Sequence, residues 1–284
     1  MFQEIDTRVP GEVERQVQQI YLRLFPAGDR FFVATAFDWA GQCFEGRHPD
    51  YQPIDARYHD FEHTLQGTLC LARLLEGRHR AQIRPELPER QFQLALLAIL
   101  FHDTGYLKRR DDHEGTGAKY TLVHVARSTQ FAADFLSRQG FQSAEIRAVQ
   151  NMISCTGVNA DLDSIPFQND TERLLGFALA SADLLGQMAA RDYIDKLPVL
   201  FLEFREAARQ GGDKAARFAA YTSAEALMRN TPEFWHGYVL PRIQDDFEGV
   251  YRFLNDPYPD GPNEYIRRVE ANLERLRRKL EAGS

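Results

Sequence analysis

Three short stretches of the chain carry side chains able to do chemistry together. His102 and Asp103 are adjacent at the end of the apolar run Leu94–Phe101, within LAILFHDTGYL. Upstream, YHDFEH holds His59 and His63 four residues apart, and downstream ASADLLGQM holds Asp183. An imidazole and a carboxylate closing an apolar helix are costly to desolvate, and a metal ion is one of the few partners that satisfies both. The alternative is a helix C-terminus with a favourably placed His and a solvated Asp. Asp183 steps by four from Leu175 and Leu179, so it is expected to face inward, where a carboxylate needs a partner. A core Asp bonded to a neighbouring amide or Arg is the alternative there. Together His63, His102, Asp103 and Asp183 form a mixed nitrogen and oxygen set that leaves coordination positions for water. Such a set suits one or two Mn, Mg, Fe or Zn ions rather than a closed structural zinc site. Its chemistry would be polarisation of a phosphoryl oxygen and activation of water near neutral pH. Asp103 could bridge two ions, with His124 a candidate ligand or oxygen contact at the second.

The elements that must position these groups read as helices throughout. Phe92–Phe101 is apolar on nearly every side and predicts a helix buried in a core. Gly11–Phe25 and Asp29–Phe44 precede it, and helical spacing resuming near Tyr58 would put His59 and His63 on one face. Further helices are expected over Tyr120–Gln139, Ser143–Cys155, from Asp170 or Thr171 through Asp183, Asp192–Ala208, Asp213–Arg229, Pro232–Leu254 and Asn263–Leu280. The Gly-containing DDHEGTGAKY reads as a loop of the kind that covers a site. With no extended strand alternation and no internal repeat, the expectation is one all-α domain over residues 1–284. The last helix carries Ile266, Val269, Leu273, Leu276 and Leu280 at heptad spacing. Docking on the protein's own core is the favoured use of that seam, and a homodimer through the C-terminal helix is the alternative.

The formal charge of −7 argues against a general nucleic-acid binder. The longest apolar run is too short to span a bilayer, and the N-terminal stretch lacks the pattern of a signal peptide. Cys43, Cys70 and Cys155 are far apart and in no ligand-like spacing, which predicts reduced thiols in a cytoplasmic protein.

The ordered set His63, His102-Asp103 and Asp183 resembles the HD-domain metal-dependent phosphohydrolase superfamily, over about residues 55–190. That resemblance implies a helical bundle with the metal site in its core, extended here by N-terminal helices and a C-terminal region of about 191–284. Tyr58-His59-Asp60-Phe61-Glu62-His63 is similar to the Tyr-His-Asn-x-x-His signature of the cyclic-nucleotide phosphodiesterase branch. By that likeness His59 would be the general acid and His63 a ligand. A protonated imidazole is suited to supply a departing alkoxide. A partly exposed His59 that holds Asp183 or a water is the alternative. Phe234 fits that branch's base-stacking position, but the position of its Gln holds Thr231, which argues against purine cyclic-nucleotide specificity. Leu107 after Gly105-Tyr106, and the lack of His in Met152–Thr156, depart from the cyclic-dinucleotide branch. Of the basic residues near the doublet (Lys108, Arg109, Arg110, Lys119 and Arg127), one or two would bind phosphate and the rest would form a solvated turn. His113 is a further candidate contact, with an exposed loop His as the default.

The expected function is therefore hydrolysis of a small-molecule phosphoester, a phosphodiester or nucleotide-type substrate. The alternatives are an HD-type di-iron oxygenase, and a non-catalytic metal-containing sensor or interaction module.

Overall fold

The helix expected to be buried on all sides forms the centre of the molecule. The computed structural model describes residues 4–158, 160–210 and 221–282. Among these it contains ten α-helices and no strand, so the fold is all-α. They are α1 (Pro10–Leu24), α2 (Phe32–Phe44), α3 (Phe61–Arg80), α4 (Glu89–Phe101) and α5 (His124–Arg138). They continue with α6 (Ser143–Ser154), α7 (Asp170–Met188), α8 (Tyr193–Gln210), α9 (Ala224–Phe234) and α10 (Glu264–Ala282). Every residue of α4 from Phe92 to Phe101 is buried, with α2, α3, α6 and α7 packed around it. Its apolar circumference allows no solvent-facing side.

Helix α3 lies along α7, the pairing that brings His63 towards Asp183. The approach is close because of glycine. A Cβ on Gly186 would meet the Gln66 carbonyl oxygen at 2.7 Å, and one on Gly67 would lie 3.6 Å from the Asp183 Cα. Real side chains at Gly186 would separate the two helices.

Several boundaries differ from the sequence expectation. Helix α3 begins at Phe61, because the Asp60 side chain accepts from the His63 backbone N–H and caps it. His59 therefore stands before the helix and does not share a helical face with His63. Helix α5 starts at His124 after a 3₁₀ turn over Gly117–Tyr120. The helix expected over Pro232–Leu254 breaks into π-helical turns at Trp235–Val239 and Arg242–Asp246 and a 3₁₀ turn at Val250–Leu254. The expected Asp213 start falls outside the described residues, and the helix there is α9.

The heptad seam of α10 is buried on the chain's own core through Tyr265, Val269, Asn272, Leu273 and Leu276. Asn272 also donates to the carbonyls of Met188, the last residue of α7, and of Ala190 just beyond it. No described helix is long and apolar enough to cross a membrane.

Candidate metal centre

His102 and Asp103 leave the end of α4 at the point where the chain turns into the short 3₁₀ segment Thr104–Tyr106. Their side chains point back between α3 and α7. His63 Nε2 lies 3.2 Å from Asp103 Oδ2 and 3.2 Å from Asp183 Oδ1. His102 Nε2 lies 3.3 Å and 3.4 Å from the same two oxygens. The four atoms thus form a closed ring that alternates nitrogen and oxygen. His63, His102 and Asp103 are all buried, with donor atoms within 4.8 Å of one another, and Asp183 completes the ring from α7.

The chemistry of this ring suits a cation. His102 donates from Nδ1 to the Ile99 carbonyl at 2.7 Å, so its Nε2 presents a lone pair to two carboxylate oxygens when the ring is neutral. His102 Nε2, Asp103 Oδ2 and Asp183 Oδ1 are buried without a hydrogen-bond partner. Buried polar atoms are seldom left so. Two imidazole nitrogens and two carboxylate oxygens gathered this closely are a donor set that metal ions take. The residues present fit a metal ion.

Without such an ion, protons take its place. Burial pulls the His63 imidazole down, but close contact with Asp103 and Asp183 outweighs it and pushes it up to about 9. His102 is likewise driven well above its ordinary range, against burial, by the charges of Asp103 and Asp183. Burial would raise Asp103 and Asp183, yet His102 and then His63 hold both below the ordinary carboxylate range.

Four further residues surround the ring. The second oxygen of Asp103, Oδ1, faces His124 Nε2 at 4.0 Å. His124 donates from Nδ1 to the Thr121 carbonyl at 2.7 Å, and burial holds its value down, so a lone pair is available on Nε2. His59 stacks on the ring of Tyr106 at 4.3 Å and 14°. Its Nδ1 lies 2.6 Å from Glu203 Oε2, while Glu203 Oε1 accepts from the Tyr58 backbone N–H at 2.7 Å. Burial would raise the Glu203 carboxyl, but the His59 charge and these hydrogen bonds hold it below its usual range. An ionised Glu203 accepts a hydrogen bond from His59 Nδ1–H, which leaves Nε2 as the nitrogen turned away from it.

Glu203 has no counterpart among the residues singled out from sequence. The available signal was its place on the buried face of α8, four residues before Ala207.

The basic candidates are engaged within the protein. Lys108 pairs with Asp55 at 2.9 Å and donates to the Gly115 carbonyl, and Lys119 pairs with Asp112. Arg110 donates to the carbonyls of Gly46 and His48. Arg127 does so to those of Gly105 and Leu107. Arg109 lies over the Tyr51 ring, and His113 is exposed. Together with Glu206, which accepts from Thr116, these contacts fasten the loop after the doublet. Phe234 is not gathered into the ring of ligands: it stacks on Tyr238, and Thr231 donates to the Leu227 carbonyl.

An all-helical protein with a buried His/Asp group able to hold a metal ion is the class that fold and site define. The model of the Npun_R2479-like family matches residues 110–254, just over half of the chain, and the chain belongs to that family. The matched span takes in His124, Asp183 and Glu203 and begins after the His102-Asp103 doublet. No curated protein sequence matches the chain. The family's name carries no reaction, so the chemistry rests on the site.

Proposed function

We propose that this protein is an HD-type metal-dependent phosphohydrolase that cleaves a small phosphoester. The observation that carries the proposal is the closed ring of His63 Nε2, Asp103 Oδ2, His102 Nε2 and Asp183 Oδ1, three of whose atoms are buried without a hydrogen-bond partner. When bound there, a divalent ion supplies Lewis-acid polarisation and lowers the pKa of water. His63, His102, Asp103 and Asp183 would hold it, and Asp103 Oδ1 with His124 Nε2 are the groups available to a second ion.

The remaining steps belong to the chain's own residues. Glu203 accepts a hydrogen bond from His59 Nδ1 and so fixes the orientation of the imidazole. Tyr106 holds the plane of that ring by stacking. As general acid, His59 would give a proton from Nε2 to the departing oxygen, which would otherwise leave as an unstable alkoxide. Burial of the ligands excludes bulk water and strengthens each of these interactions.

The test is a screen of chelator-stripped protein against bis(p-nitrophenyl) phosphate and a nucleotide panel, with Mn, Mg, Fe or Zn restored one at a time. Hydrolysis that returns with at least one metal is expected. Metal-loaded protein that cleaves nothing in the panel would count against the proposal and favour a sensor.

A further inference from the structure

A metal-binding imidazole needs its outer nitrogen fixed, because a ring that changes tautomer turns a proton towards the ion instead of a lone pair. His102 and His124 solve this with backbone carbonyls, at Ile99 and Thr121. His63 differs. Its Nε2 edge faces Asp103 and Asp183, and its Nδ1 has no acceptor among the described residues. His63 instead helps to wall a cavity of about 10 Å³, together with Tyr58, Gln66, Gln187, Asp192 and Lys196. That is space for one water molecule.

The polar groups around the cavity are already sorted by direction. The Tyr58 hydroxyl donates to Gln187 Oε1 at 2.7 Å, which leaves its oxygen as an acceptor. Gln187 Nε2 donates to the Asp183 carbonyl at 3.2 Å. Lys196 stands at the wall and is bound to Glu62 at 2.8 Å. Gln66 is 7% exposed, its amide has no hydrogen bond to a described residue, and neither amide atom is among the buried atoms left without a partner. Its amide therefore opens on the cavity.

We propose that this cavity binds one water molecule, which accepts the Nδ1 proton of His63 and donates to Gln66 Oε1 and the Tyr58 oxygen. Gln66 is then a positioning residue for a metal ligand, acting through that water; this rests on the metal site proposed above. The water meets the two to four polar partners that a buried water requires. It also explains a buried glutamine one helical turn after His63 on α3.

The test is zinc affinity, measured by competition with a chromophoric chelator on the full chain. Gln66→Leu is expected to bind zinc about 10- to 100-fold more weakly than the wild type, the usual cost of losing an outer partner of a ligand. Gln66→Glu, which keeps an acceptor, is expected to bind at least as tightly as the wild type. Equal affinity in Gln66→Leu and the wild type would overturn the proposal and leave the metal site standing. A wild type that binds no divalent ion would instead remove the metal site itself. Should Gln66→Leu not fold, a crystal structure of the zinc-loaded wild type decides. An ordered water within hydrogen-bonding distance of both His63 Nδ1 and Gln66 supports the proposal, and a dry cavity overturns it.

Discussion

At the scale of single residues, the four proposed ligands differ in kind from the groups that would move protons. His59 touches none of the ligand atoms through its Nδ1, which belongs to Glu203. Glu203→Gln is therefore expected to keep its metal while kcat falls about 100-fold, within the range for a lost acid–base contribution. Its KM should change little. Loss of metal in that variant would instead make Glu203 part of the ion's support. A second expectation concerns protons. Because His63 is pushed up to about 9 in the metal-free protein, a metal arriving at pH 7 must displace a proton from it. Calorimetry of metal binding in two buffers of different ionisation heat should show proton release, with affinity rising up to about pH 9. Equal heats in the two buffers would contradict this. The same shifts set the stability of the metal-free protein. The raised His63 contributes fully below its ordinary value of 6.5, and that contribution is lost as pH rises through about 9. Asp103 and Asp183, held below the ordinary 3.8, contribute above it and lose that contribution as pH falls through their lowered values. Metal-free protein should therefore be most stable between about pH 4 and 6.5.

At the scale of elements, the site depends on how closely α3 and α7 approach. Gly186→Ala places a methyl group 2.7 Å from the Gln66 carbonyl oxygen, a backbone atom that cannot turn away. A loss of about 1–3 kcal/mol in unfolding free energy is expected, as for overpacking elsewhere, together with weaker metal binding. Denaturant unfolding checks the first part, and an unchanged midpoint would contradict it. These elements also show what a sequence can disclose. The apolar circumference of α4 and the four-residue steps to Asp183 are local periodicities, and the structure bears out both helices, the buried doublet and the inward Asp183. Apolar spacing that continues smoothly across Tyr58–Leu65 puts His59 on the helix with His63, whereas one capping bond from Asp60 starts the helix only after it. The partnership of Glu203 with His59 joins residues far apart in the chain, and no local pattern encodes such a pairing. The basic cluster after the doublet reads as an anion site by composition alone. Its carbonyl and carboxylate partners became visible only once the loops were folded against one another.

At the scale of the whole molecule, one continuous core runs from α1 to α10, so the C-terminal helix supports the site from a distance. Val269 and Leu276 are fully buried, and Asn272 binds the last turn of the α7 helix that carries Asp183. Leu276→Ala should cost about 2–5 kcal/mol of stability, the range for large-to-small changes in a core. A thermal melt unchanged by that substitution would show that α10 is not part of the fold's support. The central claim is that His63, His102, Asp103 and Asp183 hold a divalent ion that the protein uses to hydrolyse a phosphoester. The most direct measurement takes wild type and the His102→Ala/Asp103→Ala double variant through metal loading, then records bound metal and bis(p-nitrophenyl) phosphate hydrolysis on the same samples. The wild type should hold metal and hydrolyse, and the folded double variant should lose both together. A metal-free double variant that hydrolyses at the wild-type rate would contradict the claim.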